Sequence, residues 1–261
     1  MPLLAGQPEG HDLVVARQLD GAGMSVYTID KRFHTRVARS QRVVEVAEAF
    51  GLGLDDKEFV IFDQLKLDVA QGDVVYITGQ SGSGKSLLLR ELAQQMAREG
   101  QKVANLDEVA IDPDLPLIDQ IGTSTNDAIR LLSIAGLNDA YLFIRKPGEL
   151  SDGQRYRFKL AKAIESQADV WVADEFMAVL DRTAAKVIAF ALQKTARKVN
   201  ATVIVATTHL DLVEDLQPSL YIEKRYREKL RIEAFTALSD ASEGHRAMTR
   251  DEAYELLKRM A

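Results

Sequence analysis

The eight residues from Gly79 to Ser86, GQSGSGKS, crowd three glycines, a lysine and terminal hydroxyls into one stretch. Gly79, Gly84, Lys85 and Ser86 meet the spacing G-x-x-x-x-G-K-[ST]. Glycines at these places let backbone N–H groups converge on an anion, and a helix that follows turns its positive end to the same point. Lys85 can reach β- and γ-phosphates, and the Ser86 hydroxyl can ligate Mg²⁺. Nucleotide contacts are therefore expected along Gly79, Gln80, Ser81, Gly82, Ser83, Gly84, Lys85, Ser86 and Leu87. The ordinary alternative, a Gly/Ser turn with an incidental lysine, fits the flanks poorly. An apolar run, VVYITG, precedes the loop and an amphipathic run, KSLLLRELAQQMAREG, follows it.

A second cluster is DVWVADE. An apolar strand here ends in Asp174, which puts a carboxylate at the edge where open α/β sheets bind ligands. Asp174 would hold Mg²⁺ through water, and Glu175 would orient or deprotonate an attacking water. Alone, the pair would read as a solvated strand end. Beside a phosphate loop it reads as chemistry.

The elements that must position these groups follow from periodicity. VVYITG, DVWVADEF and TVIVATTH are short, continuously apolar runs, the look of buried central strands. KSLLLRELAQQMAREG, SDGQRYRFKLAKAIESQ and DRTAAKVIAFALQKTARKVN carry helical spacing, the first stopped by Gly100. KVANLD reads as a further strand. The stretch from Pro113 to Gly148 is helical in pattern. Near the N-terminus, DLVVARQL and MSVYTID alternate as strands around the turn GAG. RVARSQRVVEVAEAFG reads as a helix and KEFVIFDQLKLDV as one or two strands with a wet face. LYIEKRYREKLRIEAF reads as two strands around a turn. The tail TRDEAYELLKRMA opens on a capping box of Thr249 and Glu252. Alternating strands and helices predict an α/β fold with a parallel sheet and a helical insert.

LSDGQ, from Leu150 to Gln154, opens a helix shortly before the DVWVADE strand. This resembles the signature motif of the ATP-binding cassette (ABC) ATPases. VLD, Val179 to Asp181, resembles their D-loop, and His209 resembles their switch histidine. Phosphate loop, signature, acidic pair, D-loop and histidine stand in family order. The wording also resembles a small group of stand-alone soluble ABC ATPases, sometimes found fused to a predicted acetyltransferase domain. No acetyltransferase pattern is present.

The resemblance implies a P-loop NTPase fold with a RecA-like parallel sheet core, a small helical signature subdomain and an N-terminal antiparallel β region. It implies ATP and Mg²⁺ as cofactors and a head-to-tail homodimer with ATP sandwiched between phosphate loop and signature. Ser151, Asp152, Gly153 and Gln154 would meet the γ-phosphate from the opposite subunit, and Asp181 would shape that site. Lys85, Glu175 and His209 would carry catalysis, with Ser86 and Asp174 at the metal. Adenine would stack on Phe50, since Phe59 and Phe62 read as strand core. Arg155 and Arg157 would serve the dimer interface. The parts are read as an N-terminal arm and β region (1–46), a first core segment (47–112), a helical signature subdomain (113–165), a second core segment (166–235) and a C-terminal tail (236–261).

One departure bears on the role. Many cassettes carry a glutamine after the second core strand. Here the sequence reads VANLDEVAIDP, with Asp107 and Glu108 nearest and Gln120 further on. The missing glutamine and the compact helical insert favour a soluble, cytoplasmic ATPase acting on a protein or nucleic-acid partner. The alternative is the ATP-binding subunit of a membrane transporter.

Bulk composition sets outer bounds. The 261 residues are 46% hydrophobic and 28% charged, with net charge −6 and no cysteine. That excludes disulfides, thiolate catalysis and cysteine metal sites, and an acidic balance disfavours general nucleic-acid coating. No apolar run approaches the ~20 residues of a membrane span, and MPLLAGQPEGHD lacks the pattern of a secretory leader. The basic run Glu223 to Arg231 reads as the polar face of a hairpin. His11, His34 and His245 lack metal-ligand spacing.

Overall fold

The computed structural model describes residues 24–178, 180–225 and 230–235. The DLVVARQL strand with its GAG turn, Val179, residues 226–229, the C-terminal helix, His11 and His245 lie outside them. The chain divides into two compact units, Ser25–Asp68 and the residues from Val69 onward.

The smaller unit holds strand β1 (Met24–Thr35), helix α1 (Gln41–Phe50) and strand β2 (Lys57–Ala70), with β1 and β2 paired in a two-stranded sheet. Helix α1 starts where Ser40 accepts the Val43 N–H and stops at Gly51, which takes a left-handed conformation. The strand pattern of KEFVIFDQLKLDV is realised as one long strand. Phe62 is buried as expected, but Phe59 is 49% exposed. Phe59 is therefore corrected from core to surface: residues three apart fall on opposite faces of a strand, so the two rings cannot share one covered face.

The larger unit runs β3 (Val74–Gly79), α2 (Lys85–Arg98), β4 (Val103–Asn105), α3 (Thr125–Ile134), α4 (Ala140–Phe143), α5 (Asp152–Glu165), β5 (Val170–Ala173), α6 (Arg182–Val199), β6 (Thr202–Thr207), α7 (Val213–Leu216), β7 (Leu220–Lys224) and β8 (Arg231–Ala234). Single 3₁₀ turns at Leu117–Gln120 and Pro147–Glu149 punctuate the helical stretch. The sheet order is β4-β5-β6-β3-β7-β8, parallel except for β8, which runs antiparallel to β7. The hairpin reading of the basic run is thus realised in β7 and β8.

Every residue of β3, β5 and β6 is buried, which is why their sequences lack the usual alternation. Trp171, Val203, Val205 and Tyr76 face the helical side, packing with Phe158, Leu160 and Leu192. Each fully buried apolar side chain of this size contributes roughly 1.5–3 kcal/mol. Helix α2 ends as its glycine predicts: Gly100 N–H bonds to Ala97 O and Gln101 N–H to Met96 O, both at 3.1 Å. Since β6 lies between β5 and β3, the C-terminal ends of these three strands release the phosphate loop, the acidic pair and the histidine at one sheet edge.

Candidate active site

The loop between β3 and α2 is built to face an anion. Gly84 caps α2 with no side-chain hydrogen bond, so the first amides of the helix have no capping partner and can turn to phosphate. Gly79 is required by the sheet. It has φ 136 and pairs with Lys224 of β7, and a Cβ there would collide with the Lys224 carbonyl. Lys85 is buried, and its ammonium donates to Gln80 O at 2.7 Å, which curls the loop over it. Burial lowers its pKa from the ordinary lysine value, while the charges of Asp174 and Glu175 pull it upward.

Ser86 Oγ donates to Asp174 Oδ1 at 2.8 Å. A hydroxyl beside a carboxylate is the all-oxygen donor set that a hard divalent cation takes, so these residues fit Mg²⁺. Asp174 Oδ1 also accepts the Glu175 N–H at 3.0 Å, and Oδ2 pairs with Arg90 at 3.3 Å. Among the described residues, no group of three or more His, Cys, Asp or Glu forms a self-contained metal cluster. A cation here would need nucleotide phosphates to complete its shell.

Glu175 is exposed, with φ 50, and Met177 follows with φ 58. Left-handed backbone at two non-glycine residues costs about 1–3 kcal/mol each and persists only where the surroundings impose it. Here Phe176 imposes it: its ring is buried edge-on to Tyr156, 5.9 Å between centroids, and its N–H bonds to Ala206 O of β6 at 2.8 Å. That anchor throws Glu175 outward.

His209 follows β6 by two residues. Its Nε2 lies 3.2 Å from Met177 O. A carbonyl can only accept, so Nε2 carries the hydrogen and links the histidine to the segment after the acidic pair. Its own carbonyl accepts from Thr78 Oγ1 at 2.8 Å and from the Tyr76 hydroxyl. These two β3 side chains stand on one face of the strand, two residues apart. The sequence reading missed both contacts; their only signal was polar atoms in a buried strand.

Ser151 caps α5 as expected, accepting Gln154 N–H at 3.3 Å while Gln154 Oε1 accepts the Ser151 N–H at 3.0 Å. Ser151 and Asp152 are exposed at the helix tip, with Gly153 beside them. Asp181 caps α6, its Oδ1 accepting the N–H groups of Thr183 and Ala184 at 2.9 and 3.0 Å. Arg157 donates to Gly136 O at 3.2 Å, and Arg155 donates to Pro147 O and Leu150 O, so both brace their own helical segment. Gln120 likewise staples its own loop, bonding to Asp112 through both side-chain atoms and to Leu115 O. Phe50 ends α1 in the smaller unit, 77% exposed. His34 is at the surface beside Glu58.

A family profile described as "ABC transporter" matches residues 62–178. The chain is 31% identical over 177 residues to the aliphatic sulfonates import ATP-binding protein SsuB 2 of Rhodococcus jostii (strain RHA1), covering 61% of this chain and 70% of that protein. The chain belongs to the ABC transporter family of ATPases. As an ABC ATPase it binds and hydrolyses ATP. It is also 30% identical over 193 residues to the cytochrome c biogenesis ATP-binding export protein CcmA of Rhizobium meliloti (strain 1021), covering 63% of this chain and 91% of that one. Among solved structures, the ATP-binding cassette MJ0796, a dimer in a post-hydrolysis state bound to ADP and Pi, superposes with TM-score 0.54 at 17% identity. It spans 82% of this chain and all of that one, and supports the fold. The relatives named here are an import and an export protein. They lend nothing to the stand-alone, acetyltransferase-linked reading of the motif wording.

Proposed function

We propose that this ABC ATPase is the energy-supplying subunit of a membrane transporter, working as a head-to-tail homodimer at the cytoplasmic face. The observation that carries this is on the helical stretch. Tyr141 and Ile144 are 72% and 67% exposed and Leu115 is 43% exposed. The bond from Leu117 N–H to Arg145 O, 3.0 Å, brings their two segments side by side. Exposed large apolar side chains gathered on one segment mark a protein contact. The transport proteins among its relatives suggest a membrane protein as the occupant. No helix among the described residues is long and apolar enough to cross a membrane, so the membrane-spanning part would come from that partner.

In this reading Ser86 and Asp174 would hold Mg²⁺, which when bound would neutralise phosphate charge. Lys85 and the loop amides bind phosphate oxygens, Glu175 orients or deprotonates the attacking water, and His209 reaches the γ-phosphate. Ser151 and its neighbours close the site of the opposite subunit, and Asp181 shapes it. ATP binds the closed dimer better than the open one and so drives the switch.

The second reading, a soluble switch acting on a protein or nucleic acid, is favoured by the stretch VANLDEVAIDP, which lacks the glutamine many cassettes carry there. One experiment separates the two. The tagged chain is purified from detergent-solubilised membranes, in parallel with Tyr141→Glu/Ile144→Glu. Transport predicts that a polytopic membrane protein co-purifies with wild type, stimulates its ATPase and is lost from the double variant, whose basal hydrolysis is unchanged. ATPase stimulated by nucleic acid, with no membrane partner retained, would overturn it.

A further inference from the structure

The sheet leaves Asp174 one main-chain partner short. Between β4 and β5 the last backbone rung is Leu106 N–H to Val172 O, 2.8 Å. Two residues on, at the first position past β5, the Asp174 N–H bonds to a side chain: Asp107 Oδ2, at 2.7 Å. The carboxylate thus continues the ladder beyond the strand end. Asp107 is itself held, its N–H donating to Asn105 Oδ1 at 3.1 Å. Burial pushes the Asp107 carboxyl above its ordinary range, opposed by the Asp174 N–H and by the charge of Lys159 on α5, the helix that Ser151 caps. Everything downstream turns on the Asp174 peptide. Its side chain meets Ser86 and the Glu175 N–H, and the backbone enters the left-handed turn at Glu175 immediately afterwards.

We propose that Asp107 is a positioning residue for ATP hydrolysis: by accepting the Asp174 amide it sets where Asp174 and Glu175 stand against the nucleotide. This rests on the roles given to that acidic pair above. The contribution comes from an acceptor oxygen, so an amide at the same place should do the same work.

The test compares Asp107→Ala, Asp107→Asn and Glu175→Gln by steady-state ATPase, with hydrogen exchange of the 173–176 peptide followed by mass spectrometry. Asp107→Ala should lower kcat about tenfold, the size of one lost hydrogen bond to a charged group, with KM moved less than about twofold. Its 173–176 amides should exchange faster. Asp107→Asn should restore protection and bring kcat back to within about threefold of wild type. Wild-type kcat in Asp107→Ala, or exchange unchanged there, overturns the proposal. So does Asp107→Asn as slow as Asp107→Ala, which would make the charge the active feature. Glu175→Gln at wild-type turnover would instead overturn the reading of the acidic pair. The exchange measurement on Asp107→Asn, an isosteric change, decides the matter even if the alanine variant does not fold.

Discussion

Gly79→Ala separates what the sheet demands of the phosphate loop from what the nucleotide demands. Gly79 closes β3 at φ 136, opposite Lys224. A Cβ there would penetrate the Lys224 carbonyl oxygen and stand 2.7 Å from its carbon. Both atoms belong to the backbone of a neighbouring strand, so neither can swing aside as a side-chain tip would. Two costs add: about 1–3 kcal/mol for a side chain at this backbone conformation and about 1–3 kcal/mol for overpacking. The sum, about 2–6 kcal/mol, should lower the Tm by roughly 5–20 °C in a chain of this size. Gly82→Ala is the matched control, with φ 73 and nothing within 4 Å of the added carbon. It bears the backbone term alone, about 1–2 kcal/mol, or roughly 2–8 °C. Thermal unfolding of both variants by circular dichroism, without nucleotide, is the assay. A Gly79→Ala protein that melts within a degree of Gly82→Ala would refute the steric argument and leave Gly79 with a purely nucleotide-facing role.

Three further outcomes follow from the site. Ser86→Ala removes the hydroxyl from the cation site and frees Asp174, so half-maximal hydrolysis should need roughly tenfold more Mg²⁺; an unmoved Mg²⁺ titration would take Ser86 out of that site. Asp181→Ala should cost about 1 kcal/mol and roughly 2–4 °C in Tm through the lost helix cap, while Asp181→Asn keeps the acceptor and the stability. Equal losses in the two variants would contradict the capping role. Thr78→Val leaves the His209 carbonyl with the Tyr76 hydroxyl alone, and kcat should fall roughly fivefold at constant KM; unchanged kcat would show that the backbone of His209 needs no second restraint.

The features readable from sequence share a cause. Each is imposed by a hard local rule: glycines where a backbone must approach an anion, unbroken apolar runs where a strand is covered on both faces, Ser151 where a helix must begin. Such rules act within a few residues, so the residue types announce them. What stayed hidden acts across the fold. Tyr76 and Thr78 reach a carbonyl more than 130 residues along the chain, and Asp107 reaches an amide 67 residues away. In sequence each is an unremarkable polar residue near a strand end. The same limit explains the exposure of Phe59: an apolar ring in a strand does not by itself tell which face the rest of the chain will cover. Asp107 joins the two levels. The stretch VANLDEVAIDP lacks the family glutamine, but in sequence it offers Asp107 and Glu108 alike. The bond to Asp174 gives Asp107 a place at the same sheet edge. On the proposal above, the task at this edge is that of an acceptor that fixes the peptide carrying the acidic pair, and the Asp107 carboxylate supplies one.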